Sequence, residues 1–224
     1  MDSKAPRTWS LVLVPAVVSL IVTILRLVGE LQGWNDQFFS NVAPGGEHKP
    51  GFVGISWLIP IFGFWFGFKL RRSTGQPPHA GKSALRFLIG AAIVIGGFFG
   101  LAAAGLIVVP NADAPGEPKG LEYALGLLVL AAIVMITAWP RLACVLVLYA
   151  LLARIPVVAV TYFALQKGWD SHYTKLPVGT TLPLGVDRFT FLAMPQMTVW
   201  IVATVMLGGL FGCLGAVLAG RGPK

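Results

Sequence analysis

The sequence predicts an all-α integral membrane protein: one polytopic domain over 1–224, a bundle of six transmembrane helices with both termini cytoplasmic. Three observations predict it. Hydrophobic residues make up 56% of the 224 positions and charged residues only 12%, against roughly 45–50% and roughly 25% in a soluble domain. Six stretches approach the ~20 mostly apolar residues that a bilayer-crossing helix needs. Basic residues collect on one side of those stretches, as the positive-inside bias requires. So much apolar surface does not fit inside one aqueous core, which excludes a soluble enzyme, an extracellular disulfide scaffold and a disordered tail.

The first span is about 9–28. Its apolar run, Leu11 to Leu25, is too long for the core of a signal peptide. Arg26, Glu30 and Trp34 follow with no small-residue cleavage site, so it is expected to be retained as a helix. The second span, about 52–70, carries Phe62, Phe64, Trp65, Phe66 and Phe68; lipid-facing bulk and interface anchoring are the expectation. The third, about 87–109, contains Gly96-x-x-x-Gly100, and the fourth is about 121–139. The fifth, about 142–165, contains Arg154 and Pro156. The sixth, about 191–219, contains Gly208-x-x-x-Gly212. Small residues at that spacing let helices approach closely; Gly96, Gly100, Gly208 and Gly212 are therefore the helix-packing candidates, within the bundle or between subunits. Pro15, Pro60, Pro156 and Pro195 interrupt the first, second, fifth and sixth spans. Leu31-Gln32-Gly33-Trp34 and Leu165-Gln166-Lys167-Gly168-Trp169 hint at a repeat, but their spacing from Arg26 and Arg154 differs, and chance similarity is the better reading. Trp9, Trp34, Trp139 and Trp169 fall near span ends, where indole rings anchor at the interface.

Orientation follows from the loops. Lys4, Arg7, Lys69, Arg71, Arg72, Lys82, Arg86, Arg141, Arg221 and Lys224 lie on one side, opposed only by Asp2. Lys49, Lys119, Lys167, Lys175 and Arg188 lie on the other, among eight acids. The richer side is expected to be cytoplasmic, in a bacterial inner membrane. The net charge of +8 is then a topological signal, and nucleic acid is not an expected partner. The acid-free run Lys69, Arg71, Arg72, Lys82, Arg86 is explained by topology, with anionic lipid headgroups as the functional alternative.

Arg154 is the most informative position. At 1.5 Å per residue it lies roughly 18 Å into the fifth span. A guanidinium there costs at least ~2.5–3.5 kcal/mol, and every Asp and Glu falls in a loop or at a span end, out of reach to pair with it. It is expected to bond backbone carbonyls, an anionic ligand in a cavity, or a partner subunit. Pro156 cannot donate to the Leu152 carbonyl, so a kink is expected beside it. Arg26, Thr161 and Tyr162 are the accompanying ligand-binding candidates. Arg26 also has Glu30 one turn away, a normal helix-end ion pair.

No catalytic signature is present: no H-E-x-x-H, G-x-S-x-G, Walker A or C-x-x-C sequence, and no paired acids within a span. His48, His79 and His172 fall in loops, which removes b-type haem; no cofactor is expected. Glu47, His48, Asp36, Asp170 and His172 would form a metal or enzyme site only if two outer loops meet, and solvated loop groups are the expectation. Cys144 and Cys213 read as packing residues. Three functions remain in order: a permease, channel or lipid-handling protein that uses Arg154 on an anionic group; a structural or assembly subunit of a membrane complex, or a homo-oligomer; and an enzyme acting on lipid.

Overall fold

The computed structural model describes residues 8–45, 51–75, 77 and 79–220. Within them the chain is helical: α1 (Thr8–Leu31), the single turn α2 (Asp36–Phe39), α3 (Leu58–Thr74), α4 (Ala80–Ala103), α5 (Leu121–Ala138), α6 (Pro140–Lys167), α7 (Arg188–Met197) and α8 (Val199–Leu218). Isolated bridges, Val108 to Lys119 and Gly116 to Thr180, are the only β-type pairings among the described residues. Both ends of the described chain, the α3–α4 turn and the α5–α6 turn lie at one end of the bundle. There Arg71 donates to the Gly220 carbonyl (3.1 Å) and Ser83 to the Ala138 carbonyl (2.7 Å). The three longer connections meet at the opposite end: Val178 N–H donates to Pro44 O, and Gly116 N–H to Gly179 O, each at 2.9 Å. These are the terminal end and the loop end below.

Among the described residues five helical segments are long and apolar enough to cross a membrane: α1, α4, α5, α6, and α7 with α8 together. The chain is thus an all-helical membrane protein. The expected second span, 52–70, differs. Residues 52–57 are not helical, and α3 is a 17-residue helix with basic residues in its last turn. Pro60 sits in its first turn rather than interrupting it, where a missing N–H costs little. Nor are the aromatics of α3 all turned outward. Phe66 is fully buried and Phe62, Phe64, Trp65 and Phe68 are half-buried, because α3 is the helix packed most extensively on α8.

The third span also shifts. α4 covers 80–103 rather than 87–109 and stops where Gly105 takes φ +72°, a left-handed conformation that favours glycine. Leu106 to Val109 stay apolar but leave the helix. The sixth span is broken: Thr198, at φ −122° and ψ −78°, separates α7 from α8. Pro195 lacks the N–H that would continue the ladder, and Thr198 turns its hydroxyl back to Met194 O at 2.8 Å.

The α3–α8 seam explains two of the four packing glycines. A Cβ on Gly67 would lie 1.9 Å from the Gly212 carbonyl oxygen, and one on Gly63 would lie 2.4 Å from Gly208 Cα. The partner of Gly208-x-x-x-Gly212 is therefore Gly63-x-x-x-Gly67, a second small-residue stripe masked in the sequence by its aromatic neighbours. Gly96 and Gly100 do not pack inside this chain. They are exposed, and a methyl group on either would meet no described atom within 4 Å; α4 meets α5 through Gly97, against Leu127, and Gly90, against Met135. Trp139 is likewise no interface anchor. It is 2% exposed, wedged where α5 turns into α6. Phe66, Leu70, Phe87, Met135, Leu142 and Leu146 belong to the same buried core.

Candidate functional site

Arg154 sits midway along α6, a 28-residue helix, and only 4% of its surface is exposed. The opposing wall is the α7–α8 break. Gln196, just before the break, accepts a hydrogen bond from Arg154 Nη1 at 3.1 Å. Trp200, just after it, places its ring 4.4 Å from the guanidinium carbon, a cation–π contact of about 2 kcal/mol when desolvated. Pro156 lies within a continuous α6. Arg154's other N–H groups have no protein acceptor among the described residues, and no described carboxylate reaches it. A guanidinium carries five N–H donors, so one bond and one ring contact leave it far from satisfied.

It borders a cavity of about 640 Å³ that extends toward the loop end. The cavity brings together residues distant in the sequence. Arg26, Arg154, Thr161, His172, Lys175 and Trp200 all line it, with Phe52, Trp57 and Phe191 as apolar wall. No Asp or Glu is among its described lining residues. Of the four ligand-binding candidates, Arg154, Arg26 and Thr161 share this cavity. Tyr162 does not: it is exposed and packs edge-on against Phe189, with centroids 5.4 Å apart, because the next residue on a helix points about 100° away. Thr161 spends its hydroxyl proton on Val157 O of its own helix (3.0 Å), leaving oxygen lone pairs rather than a free donor.

Arg26 is held differently. Its Nε donates to Glu30 Oε1 at 2.8 Å. The Glu30 side chain is fully buried, because α1 runs on to Leu31 and carries this acid inside the bundle, whereas the sequence count places it beyond the span. His172 completes the cluster: its backbone N–H donates to Glu30 Oε2 (3.0 Å), and its Nδ1 lies 2.5 Å from Oε1. Burial chiefly pushes the His172 imidazole below its ordinary range; the Glu30 hydrogen bond opposes this and the nearby Arg26 charge adds to it. The ring is therefore neutral at pH 7, and facing a carboxylate it must carry its proton on Nδ1. Burial also raises the neighbouring Tyr173 phenol, which stays a neutral O–H at the cavity wall.

The two outer loops do meet. Asn41 donates to Asp170 at 2.7 Å, and Lys175 pairs with Asp170 at 2.8 Å. Asp170 and His172 are thus engaged in separate structural pairs, and among the described residues no three of His, Cys, Asp and Glu gather to hold a metal. Glu47 and His48 lie outside the described residues. Of the cavity's cations, Arg26 is neutralised by Glu30 and Lys175 by Asp170, while Arg154 has no carboxylate partner among the described residues.

Gln196 and Trp200 are absent from the sequence-derived candidates. The available signal was a polar Gln beside a proline inside an otherwise apolar span. The chain matches no protein-family model, no curated protein and no solved structure.

Proposed function

We propose that this is a six-helix protein of the bacterial inner membrane, with its terminal end cytoplasmic, whose loop-end cavity binds an anionic amphiphile for permeation or lipid handling. One observation carries this reading: a buried guanidinium without a carboxylate partner among the described residues opens onto a cavity with aromatic walls. The volume lies in the ~300–1,000 Å³ range of small-molecule sites. Arg154 supplies the anion contact, and Trp57, Phe52 and Phe191 face the apolar part. A buried cation near the midplane is a functional feature by default, since its desolvation must be offset by something. The α7–α8 break supports the same reading, because broken helices at membrane depth occur where they line cavities.

The test uses 11-(dansylamino)undecanoic acid and its methyl ester on the protein in nanodiscs, read by energy transfer from tryptophan. The acid is expected to bind at least about tenfold more weakly to Arg154→Gln than to wild type, a loss of ~1.4 kcal/mol, and the ester equally to both. Equal binding of the acid to both proteins overturns the reading.

A second reading, a subunit of a larger assembly, has its own support. Gly96 and Gly100 present a small-residue face that nothing described in this chain covers, and such faces seat other helices. Gly96→Cys should cross-link to another chain in membranes under that reading; a cysteine that stays monomeric there removes it.

A further inference from the structure

The terminal end carries a second cavity, about 510 Å³, between the start of α4 and the α5–α6 turn. Lys82, Arg86 and Arg141 line it with His79, Ser83 and Trp139, and no acid is among its described lining residues. Two long helices begin at its rim. α4 starts at Ala80 after His79 and α6 at Pro140 after Trp139, and neither has a side-chain cap. The first N–H groups of a helix lack intrahelical acceptors and carry the positive end of its dipole. Trp139 adds a further donor: its indole N–H is buried with no acceptor among the described residues. Here two helix starts converge with cationic side chains, of which Lys82 and Arg86 are exposed, and an anion is the ligand that suits both.

The basic stretch that topology alone would explain is divided by the structure. Arg71 is committed to the fold, donating to the carbonyls of Gly220, Gly75 and Pro77, and Arg72 lies 5.2 Å from the Phe68 ring. Lys82 and Arg86 are exposed, and Arg86 donates to Thr137 O (2.8 Å). Above the pocket, α4 and α5 turn apolar side chains outward: Leu85, Leu88, Ile89, Ile133 and Ile136 are all exposed. In a bilayer that surface meets acyl chains. A phosphate group in the pocket therefore has its own chains lying along these two helices.

We propose that this pocket is a phosphate-binding site filled by the headgroup of an anionic phospholipid. It is independent of the loop-end cavity, which lies at the other end of the bundle. Basic pockets between helices on one membrane face hold anionic headgroups.

The test compares delipidated full-length wild type with the double variant Lys82→Gln, Arg86→Gln. Both side chains are exposed, so the fold is retained, and thermal melting without lipid checks this. Phosphatidylglycerol, phosphatidylcholine and inorganic phosphate are each titrated and read by melting shift and by native mass spectrometry. Phosphatidylglycerol should stabilise wild type and bind the double variant about thirtyfold more weakly, about five- to sixfold for each cation removed. Stabilisation of wild type by inorganic phosphate as strong as by the lipid, again lost in the variant, upholds the phosphate site and assigns it to a soluble anion. An equal phosphatidylglycerol response in wild type and variant, or an equal response to phosphatidylcholine, overturns the proposal.

Discussion

The α3–α8 seam and the loop-end cavity handle polarity and space in opposite ways. Along the seam, glycine stripes bring α3 and α8 into backbone contact, and Phe66, Leu70, Leu142 and Leu146 pack around them. Around the α7–α8 break at Thr198 the helices border open space, and that space holds charge. Lipid offers no hydrophobic drive for helices to associate, so close van der Waals packing must hold them. The seam is spent on that adhesion, which leaves the wall of the loop-end cavity free to carry a cation. The two arginines repeat the contrast: Arg26 is neutralised within its own helix, and Arg154 is not.

The largest effect that would break this comparison is steric. Gly67→Leu places a side chain into the Gly212 backbone, an overpacking beyond the usual ~1–3 kcal/mol. It should yield little folded protein by size-exclusion chromatography in detergent; wild-type-like melting would show that the seam is looser than described. Next in size is Glu30→Ala. It leaves Arg26 buried without its carboxylate and removes His172's acceptor, and breaking such a buried pair costs about 3–5 kcal/mol. Denaturant titration should show that loss, with hydrogen exchange rising first in 168–177; a change under about 1 kcal/mol would mean the cluster is hydrated rather than structural.

A smaller effect is set by pH. His172 is held below its ordinary value of ~6.5. The unfolded chain therefore takes up a proton before the folded one as pH falls through that value. Stability contributed by the neutral ring is present above about pH 6.5 and lost as pH drops toward the folded-state value. Wild type should lose more melting temperature between about pH 7.5 and pH 5 than His172→Gln does, by differential scanning fluorimetry. Parallel pH curves for the two proteins would contradict the neutral-imidazole assignment. The smallest effect is Gly96→Ala. It fills open space and adds helix propensity, so the isolated chain should gain up to about 1 kcal/mol; a loss of that size would reveal a contact covering that face.

Much of the architecture is legible as apolar length. α1, α5 and α6 begin and end within a few residues of the apolar runs that announce them, and Pro140 and Gly168 mark the ends of α6. The place of α3 is not legible, because an aromatic run looks the same against lipid as against protein; only the pairing of Gly63 and Gly67 with Gly208 and Gly212 distinguishes them. Arg154 stands out because a charge in a span is costly wherever it points. Its surroundings do not stand out, since Gln196, Trp200 and Arg26 are brought to it by the helix break and by α1, and spacing along the chain encodes neither. Glu30 is hidden for a simpler reason: the apolar run ends near Val28, while the helix continues to Leu31.

The central claim is that Arg154 is kept for a ligand rather than for the fold, and Arg154→Met melted with and without dodecyl phosphate tests it most directly. Removing an unshared buried cation relieves at least ~2.5 kcal/mol; it forfeits a ring contact of about 2 kcal/mol and the hydrogen bond to Gln196. These largely offset, so the variant should melt close to wild type and show no shift with dodecyl phosphate, where wild type rises. A variant that melts well below wild type, or that still rises with the amphiphile, would contradict the account.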